Sequence, residues 1–129
     1  MSITTTGLHH LSLRVTDLAR AKQFYATTLG LPVVLEMEGL VLLNVNGVLL
    51  GLREGTPATA AAGSFDPFRI GLDRVALSVT DRVNLAALQS SLASAGVANN
   101  GVQHDDLTGA DYVAFYDPDG IAWELYAMS

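Results

Sequence analysis

His10-Leu-Ser-Leu-Arg-Val-Thr-Asp17 and Arg74-Val-Ala-Leu-Ser-Val-Thr-Asp81 are two versions of one phrase, 64 positions apart. In the first, Leu11, Leu13 and Val15 alternate with His10, Ser12 and Arg14. In the second, Val75, Leu77 and Val79 alternate with Arg74, Ala76 and Ser78. Period-two alternation predicts a half-buried strand in each copy. Each copy ends at an aspartate, a residue that caps helix N-termini, and each helix then runs to a glycine, Gly30 or Gly96. An internal repeat of this length makes the chain two copies of one module. The copies differ at their first position, where one has histidine and the other arginine.

After the first helix (Leu18, Ala21, Phe24, Tyr25, Thr28 and Leu29 at helical spacing, stopped by Gly30-Leu-Pro32), strands are predicted at about 33–38, 40–45 and 48–53. Gly39 and Asn46-Gly47 supply the turns, Asn-Gly being a strong hairpin signal. The second helix, with Leu85, Leu88, Leu92 and Ala95 on one side, is followed by strands at about 101–104, 111–116 and 121–127. Asn99-Asn100-Gly101 reads as a turn, and Asp117-Pro-Asp-Gly120 as the tight turn of the last hairpin. The order is βαβββ, twice: module one at about 7–54, a linker at about 55–69, and module two at about 70–129, within a single domain of 129 residues. The linker, with its small-residue run Ala58–Ala62, reads either as a flexible connection or as a loop whose Phe65 and Phe68 cover a pocket or a partner.

Half the residues are apolar, enough for a sizeable core. A net charge of −6 argues against nucleic acid as a partner, because phosphate binding needs a basic footprint, and weakly against an anionic membrane surface. The absence of cysteine removes disulfides, thiolate nucleophiles and cysteine zinc sites. Leu40–Leu52, the most apolar stretch, is interrupted by Asn44, Asn46, Gly47 and Gly51, and the N-terminus has no signal-peptide pattern, so no membrane association and a cytoplasmic location are expected. There is no phosphate-binding glycine loop, nucleophile elbow or HExxH.

His9-His10 followed by Val15 and Asp17, Phe24-Tyr25 ahead of Leu29-Gly30-Leu31, and Phe115-Tyr-Asp-Pro-Asp-Gly-Ile-Ala-Trp-Glu124-Leu resemble the vicinal oxygen chelate superfamily, which holds glyoxalase I, extradiol dioxygenases and the bleomycin-resistance binding proteins. The resemblance runs from about Leu8 to Ala127. It implies an α+β fold in which two βαβββ modules form a curved mixed sheet around a cavity, a small-molecule ligand, and a homodimer. It implies no single reaction, because this fold hosts several.

In the metal-dependent members, ligands come from the first and last strand of each module. Carried over through the repeat, those positions read His10, Gly51, Arg74 and Glu124. Imidazole and carboxylate suit Fe, Mn, Ni, Zn or Co. Glycine offers no side chain, and arginine has only donors on a fixed cation. His9 would face the other way in a regular strand. The residue chemistry therefore leans away from a metal, with His10 and Glu124 as the two possible ligands. Arg74 and Glu124 can instead form an ion pair beside His10, Arg74 can take a carboxylate-bearing ligand, or its head can turn to the rim.

Ser12 shares the face of His10. Tyr126 shares that of Glu124, either lining a pocket or packed with its hydroxyl at the rim. His104 reads as a surface histidine or as a binding or proton-transfer group. Tyr112 and Tyr116 share a face whose identity depends on the hairpin register. Asp117 and Asp119 read as turn chemistry, and Trp123 as core. Three functions stay open: a metal-dependent lyase, isomerase or dioxygenase-like enzyme with His10 and Glu124 as ligands; a metal-free ligand-sequestering protein; and a metal-free enzyme with His10 or Glu124 as general base beside Arg74.

Overall fold

The computed structural model describes residues 1–127; the last two residues of module two lie outside them. The chain divides into two compact units, Met1–Gly63 and Ser64–Ser129.

In the first unit, β1 (His10–Arg14) leads through Asp17 into α1 (Leu18–Lys22). The Asp17 side chain accepts from Arg20 N at 3.1 Å, as an N-cap should. The helix then widens into a π-helical turn over Gln23–Thr28, which the 3.6-residue spacing did not foretell. Consecutive Phe24 and Tyr25 are both buried there, their rings edge-to-face at 5.0 Å. β2 (Val33–Met37), β3 (Leu40–Val45) and β4 (Val48–Arg53) follow. The Asn46-Gly47 turn between β3 and β4 has positive φ at both residues, +47° and +94°, which this pair tolerates and most pairs do not. The sheet order is β1-β4-β3-β2, with β1 parallel to β4 and the other pairs antiparallel.

The second unit repeats this plan. β5 (Val75–Val79) leads through Asp81, whose side chain accepts from Asn84 N at 2.7 Å, into α3 (Arg82–Ser94). β6 (Asn99–His104), β7 (Asp111–Tyr116) and β8 (Ala122–Ala127) complete a sheet of order β5-β8-β7-β6. The expected turn at Asn99-Asn100-Gly101 lies inside β6. Gly101 takes φ +74°, Asn99 Oδ1 accepts from its N–H at 3.0 Å, and the ladder to β7 shifts register there. The local turn chemistry is present, but as a bulge that the strand passes through.

Register explains the two-faced strands. In module one Leu13, Leu52 and Val41 form one rung and Leu11, Leu50 and Leu43 the next. In module two the matching rungs are Val75, Trp123 and Phe115, then Leu77, Leu125 and Val113. Trp123, Phe115, Val113, Leu50, Leu52 and Leu43 are fully buried. Helix α3 contributes Leu85 and Leu92 to this side in module two. The core therefore lies between each sheet and its helix, and the other face carries the polar groups. Both sheets are open, with β1 and β2, or β5 and β6, as edges.

The linker is not structureless. Pro57–Ala62 coils into α2, opened by a capping box in which Thr56 and Thr59 each accept from the other's backbone N–H. Pro57 sits at the start of the helix, where its missing N–H costs nothing. Phe65 is half-buried and Phe68 is exposed. No helix among the described residues is long and apolar enough to cross a membrane.

Candidate functional site

The side of the second sheet away from α3 is built in rungs. Ala76, Glu124 and Ala114 stand side by side on β5, β8 and β7; Ser78, Tyr126 and Tyr112 form the next rung. The register left open by the sequence is thus settled: Tyr112 and Tyr116 share the face of Glu124 and Tyr126.

Glu124 is buried, its side chain 5 % exposed. Its Oε1 accepts from Arg74 Nη1 at 2.8 Å. Arg74 sits just before β5, and its Nε donates to Asp73 at 2.6 Å. Both partners hold the guanidinium in its charged form, the Asp73 hydrogen bond first and Glu124 second, and raise its pKa above an already high value. The Arg74 side chain is half-exposed while its partner is not. Of the alternatives for Arg74, the ion pair with Glu124 is the one formed. Glu124 Oε2 is buried and has no hydrogen-bond partner among the described residues. An acceptor desolvated without a partner costs about 1–3 kcal/mol, and among the described residues this oxygen is the buried side-chain polar atom left without one.

Both tyrosines of the next rung are hydrogen-bonded. Tyr126 lies parallel to Tyr112, ring centroids 5.0 Å apart. Its hydroxyl donates to Asp105 Oδ2 at 3.0 Å, and the Tyr112 hydroxyl donates to Gln103 at 3.0 Å. Burial, then the Asp105 hydrogen bond, push the Tyr126 hydroxyl up to about 12. Asp105 also accepts from Leu107 N and from the Thr108 hydroxyl, and these bonds lower its pKa, the Leu107 bond most. His104, at the end of β6, is half-exposed and tied to Asp111, Nδ1 to Oδ1 2.8 Å. Arg82 Nε meets the other Asp111 oxygen at 3.2 Å. His104 thus belongs to a surface cluster with Asp111 and Arg82.

Asp117 and Asp119 are turn residues: Asp117 Oδ1 accepts from Asp119 N and from Ile121 N. Asp73 and Asp105, hydrogen-bond partners of Arg74 and Tyr126, were not foreseen. Asp73 adjoins Arg74 in sequence, which is a signal of sorts. Asp105 has none, because its link to Tyr126 spans 21 residues.

In the first unit the corresponding face has His10 beside Leu49 and Ser12 beside Gly51. His9 does not turn to the opposite face as expected. The strand begins at His10, so His9 escapes its alternation, and the two Nδ1 atoms approach to 2.9 Å. Gly51 offers no ligand side chain, and a Cβ built there would lie 2.9 Å from Ser12 Oγ, which would have to shift. An open groove of about 610 Å³ lined by Leu18, Lys22, Gln23, Glu36 and Glu54 contains none of the candidate site residues.

A model of the Glyoxalase/Bleomycin resistance protein/Dioxygenase superfamily matches residues 7–125. The chain belongs to that superfamily. Among solved structures, a glyoxylase/bleomycin resistance protein/dioxygenase domain from Frankia sp. EAN1pec is 27 % identical, with a TM-score of 0.82 over 98 % of this chain and 100 % of that one. A genomically encoded fosfomycin resistance protein, FosX, from Listeria monocytogenes is 17 % identical, with a TM-score of 0.78 over 98 % and 96 %. A lactoylglutathione lyase from Agrobacterium tumefaciens is 18 % identical, with a TM-score of 0.74 over 95 % and 94 %. The latter two likenesses are of fold. No curated protein sequence matches the chain.

The superfamily implies a divalent metal in its metal-dependent members, and the donor set here does not fit one. One Glu124 oxygen is taken by a guanidinium, Arg74 is a cation where a ligand would stand, and Gly51 has no side chain to offer. No group of three or more metal-binding side chains occurs among the described residues.

Proposed function

We propose that the chain is a metal-free, small-molecule-binding member of the superfamily whose binding face centres on Glu124, with Arg74 doing electrostatically what a metal does in its metal-dependent relatives. The observation that carries this reading is the 2.8 Å contact between Arg74 Nη1 and Glu124 Oε1. A carboxylate already paired to a guanidinium is a poor ligand, and a fixed cation beside it repels a second one. Tyr126, Tyr112 and Ser78 supply the polar and aromatic wall expected of a small-molecule site. His10 and Ser12 are proposed as contacts on the matching face of the first unit taken by itself, and His104 at the margin of the second. We assign no lyase or dioxygenase activity.

The protein is proposed to be a cytoplasmic homodimer. The edge strand β2 exposes Val34, Leu35 and Met37, and Phe68 and Ile70 are almost fully exposed. Apolar edges and patches of this kind are usually covered by another chain, and a second copy is always at hand.

The test is metal content. After chelation, Mn, Fe, Ni, Zn and Co are re-added singly and the retained metal is measured. The expected result is none retained stoichiometrically by the wild type. Retention that Glu124→Gln abolishes would overturn the reading. Arg74→His, which removes the guanidinium and leaves an imidazole beside Glu124, is expected to gain metal binding.

A further inference from the structure

Asn-Gly occurs twice in the chain, at Asn46-Gly47 and at Asn100-Gly101; the other asparagines are followed by Val45, Leu85 and Asn100. The pair is chemically reactive, because glycine places no Cβ between its own amide nitrogen and the preceding side chain. That nitrogen can attack the asparagine Cγ. The new C–N bond closes a five-membered imide. The Cγ–Nδ2 bond breaks, and Nδ2 leaves as ammonia with the proton from the glycine N–H. Water then opens the imide at either carbonyl, leaving aspartate or isoaspartate. Asn46 and Asn100 are both exposed, so water reaches them.

In both places the attacking nitrogen is held. Gly47 N–H donates to Asn44 Oδ1 at 2.8 Å, and Gly101 N–H donates to Asn99 Oδ1 at 3.0 Å. A donor in such a bond must break it before it can lose its proton and turn on the neighbouring side chain. The net worth of one ordinary hydrogen bond slows that step about five-fold. The two restraints differ in their support. Asn99 is fixed at both ends of its amide: Oδ1 also accepts from Gln89 Nε2 at 3.2 Å, Nδ2 donates to Val97 O at 3.0 Å, and all three bonds are part-buried. The Asn44 bond is solvent-exposed. Its shorter length counts for less than its exposure, because water can take over an exposed bond and an amide anchored at both ends cannot rotate away. We propose that Asn46 and Asn100 are sites of spontaneous deamidation restrained by Asn44 and Asn99, and that the weaker restraint makes Asn46 the first to convert. Asn46 lies in the β3–β4 turn, whose ladder sets Leu49 beside both Asn44 and His10. Isoaspartate there adds a carbon to the main chain of the turn, and either product adds a negative charge to a chain already at −6.

The test incubates the full chain in warm, mildly alkaline buffer, folded and in urea. Peptide mapping by mass spectrometry follows the amide-to-acid change at each asparagine, and anion-exchange chromatography follows the added charge. In urea, Asn46 and Asn100 should convert at similar rates. In the folded chain both should slow, and Asn46 should convert about five-fold or more faster than Asn100. Asn44→Ala should speed Asn46 about five-fold and leave Asn100 unchanged, and Asn99→Ala should do the reverse. Asn44 holds an exposed turn, so its variant keeps the test decisive if the part-buried Asn99→Ala fails to fold; Gln89→Ala, which removes only one anchor of Asn99, should speed Asn100 to a smaller degree. Conversion of Asn100 as fast as Asn46 in the folded chain, no slowing of either relative to urea, or an Asn46 rate unmoved by Asn44→Ala overturns the proposal.

Discussion

Tyr126 stacks on Tyr112 with the ring planes 8° from parallel, while its hydroxyl reaches across to Asp105. The stack joins neighbouring strands β8 and β7, and the hydroxyl fastens the β6–β7 connection to the same place. One side chain therefore links sheet packing to loop position, and its ionisation reports on both.

The Tyr126 hydroxyl is pushed up to about 12 by burial and by Asp105. Its folded value lies above its unfolded one, so its contribution to stability is fully present below the ordinary tyrosine value of 10.0 and is lost as pH rises through about 12. An alkaline absorbance titration should show a late tyrosinate step that Tyr126→Phe removes. A titration of the variant identical to that of the wild type would refute the assignment.

Asp105 behaves in the opposite sense. Hydrogen bonds from Leu107 N first and the Tyr126 hydroxyl next lower its pKa from the ordinary 3.8. It stabilises the fold above that value and ceases to as pH falls through its own lower one. The difference in Tm between wild type and Asp105→Asn is expected to be present at neutral pH and to shrink on acidification below the ordinary value. A gap that widens in acid would contradict this.

Asp117 is buried, and one of its oxygens accepts from two backbone N–H groups, those of Asp119 and Ile121. Asp117→Ala strands both donors and should cost about 2–3 kcal/mol in denaturant unfolding. Because this turn sets β8, the same variant should also weaken any ligand that Glu124 binds. A loss under about 0.5 kcal/mol, the level of an ordinary surface change, would show that the turn holds without it.

Two glycines with tight surroundings should respond differently to alanine. At Gly55 a Cβ would lie 2.8 Å from the Val15 carbonyl oxygen and 3.2 Å from that of Thr16. Backbone cannot step aside, so Gly55→Ala is expected to cost about 2–3 kcal/mol, the scale of an overpacked core. At Gly51 the nearest atom is Ser12 Oγ, the end of a small side chain. Gly51→Ala should cost about 1 kcal/mol or less, and adding Ser12→Ala should return most of it, leaving a Ser12 Cβ contact of 3.7 Å. Thermal melts of the three variants and the pair decide this.

Where chemistry repeats locally, the sequence was readable. The caps at Asp17 and Asp81, the Asn46-Gly47 turn, and the alternation that buries Leu13, Leu52 and Trp123 each follow from a few neighbouring residues. The repeat also picked out Arg74 and Glu124, residues 50 positions apart that do meet. The α2 cap was present in plain view as Thr56, Pro57 and Thr59, masked by a composition that suggests a linker. The Asp105–Tyr126 bond and the meeting of His9 with His10 were not readable, because both involve residues outside regular strands, where no periodicity says which way a side chain turns.

The rungs Ser12–Gly51 and Ala76–Glu124 occupy the same address in the two copies, and they are filled in opposite ways. In one copy the first strand has a hydroxyl and the last strand has no side chain; in the other the first strand has a methyl and the last carries the carboxylate. Each half therefore has one polar group at this place, on opposite strands of the pair. Moving Glu124's role into the first module would therefore take a change on both strands, with Ser12 yielding before Gly51 can grow. The asymmetry of the face is in that sense a pair of linked side-chain choices.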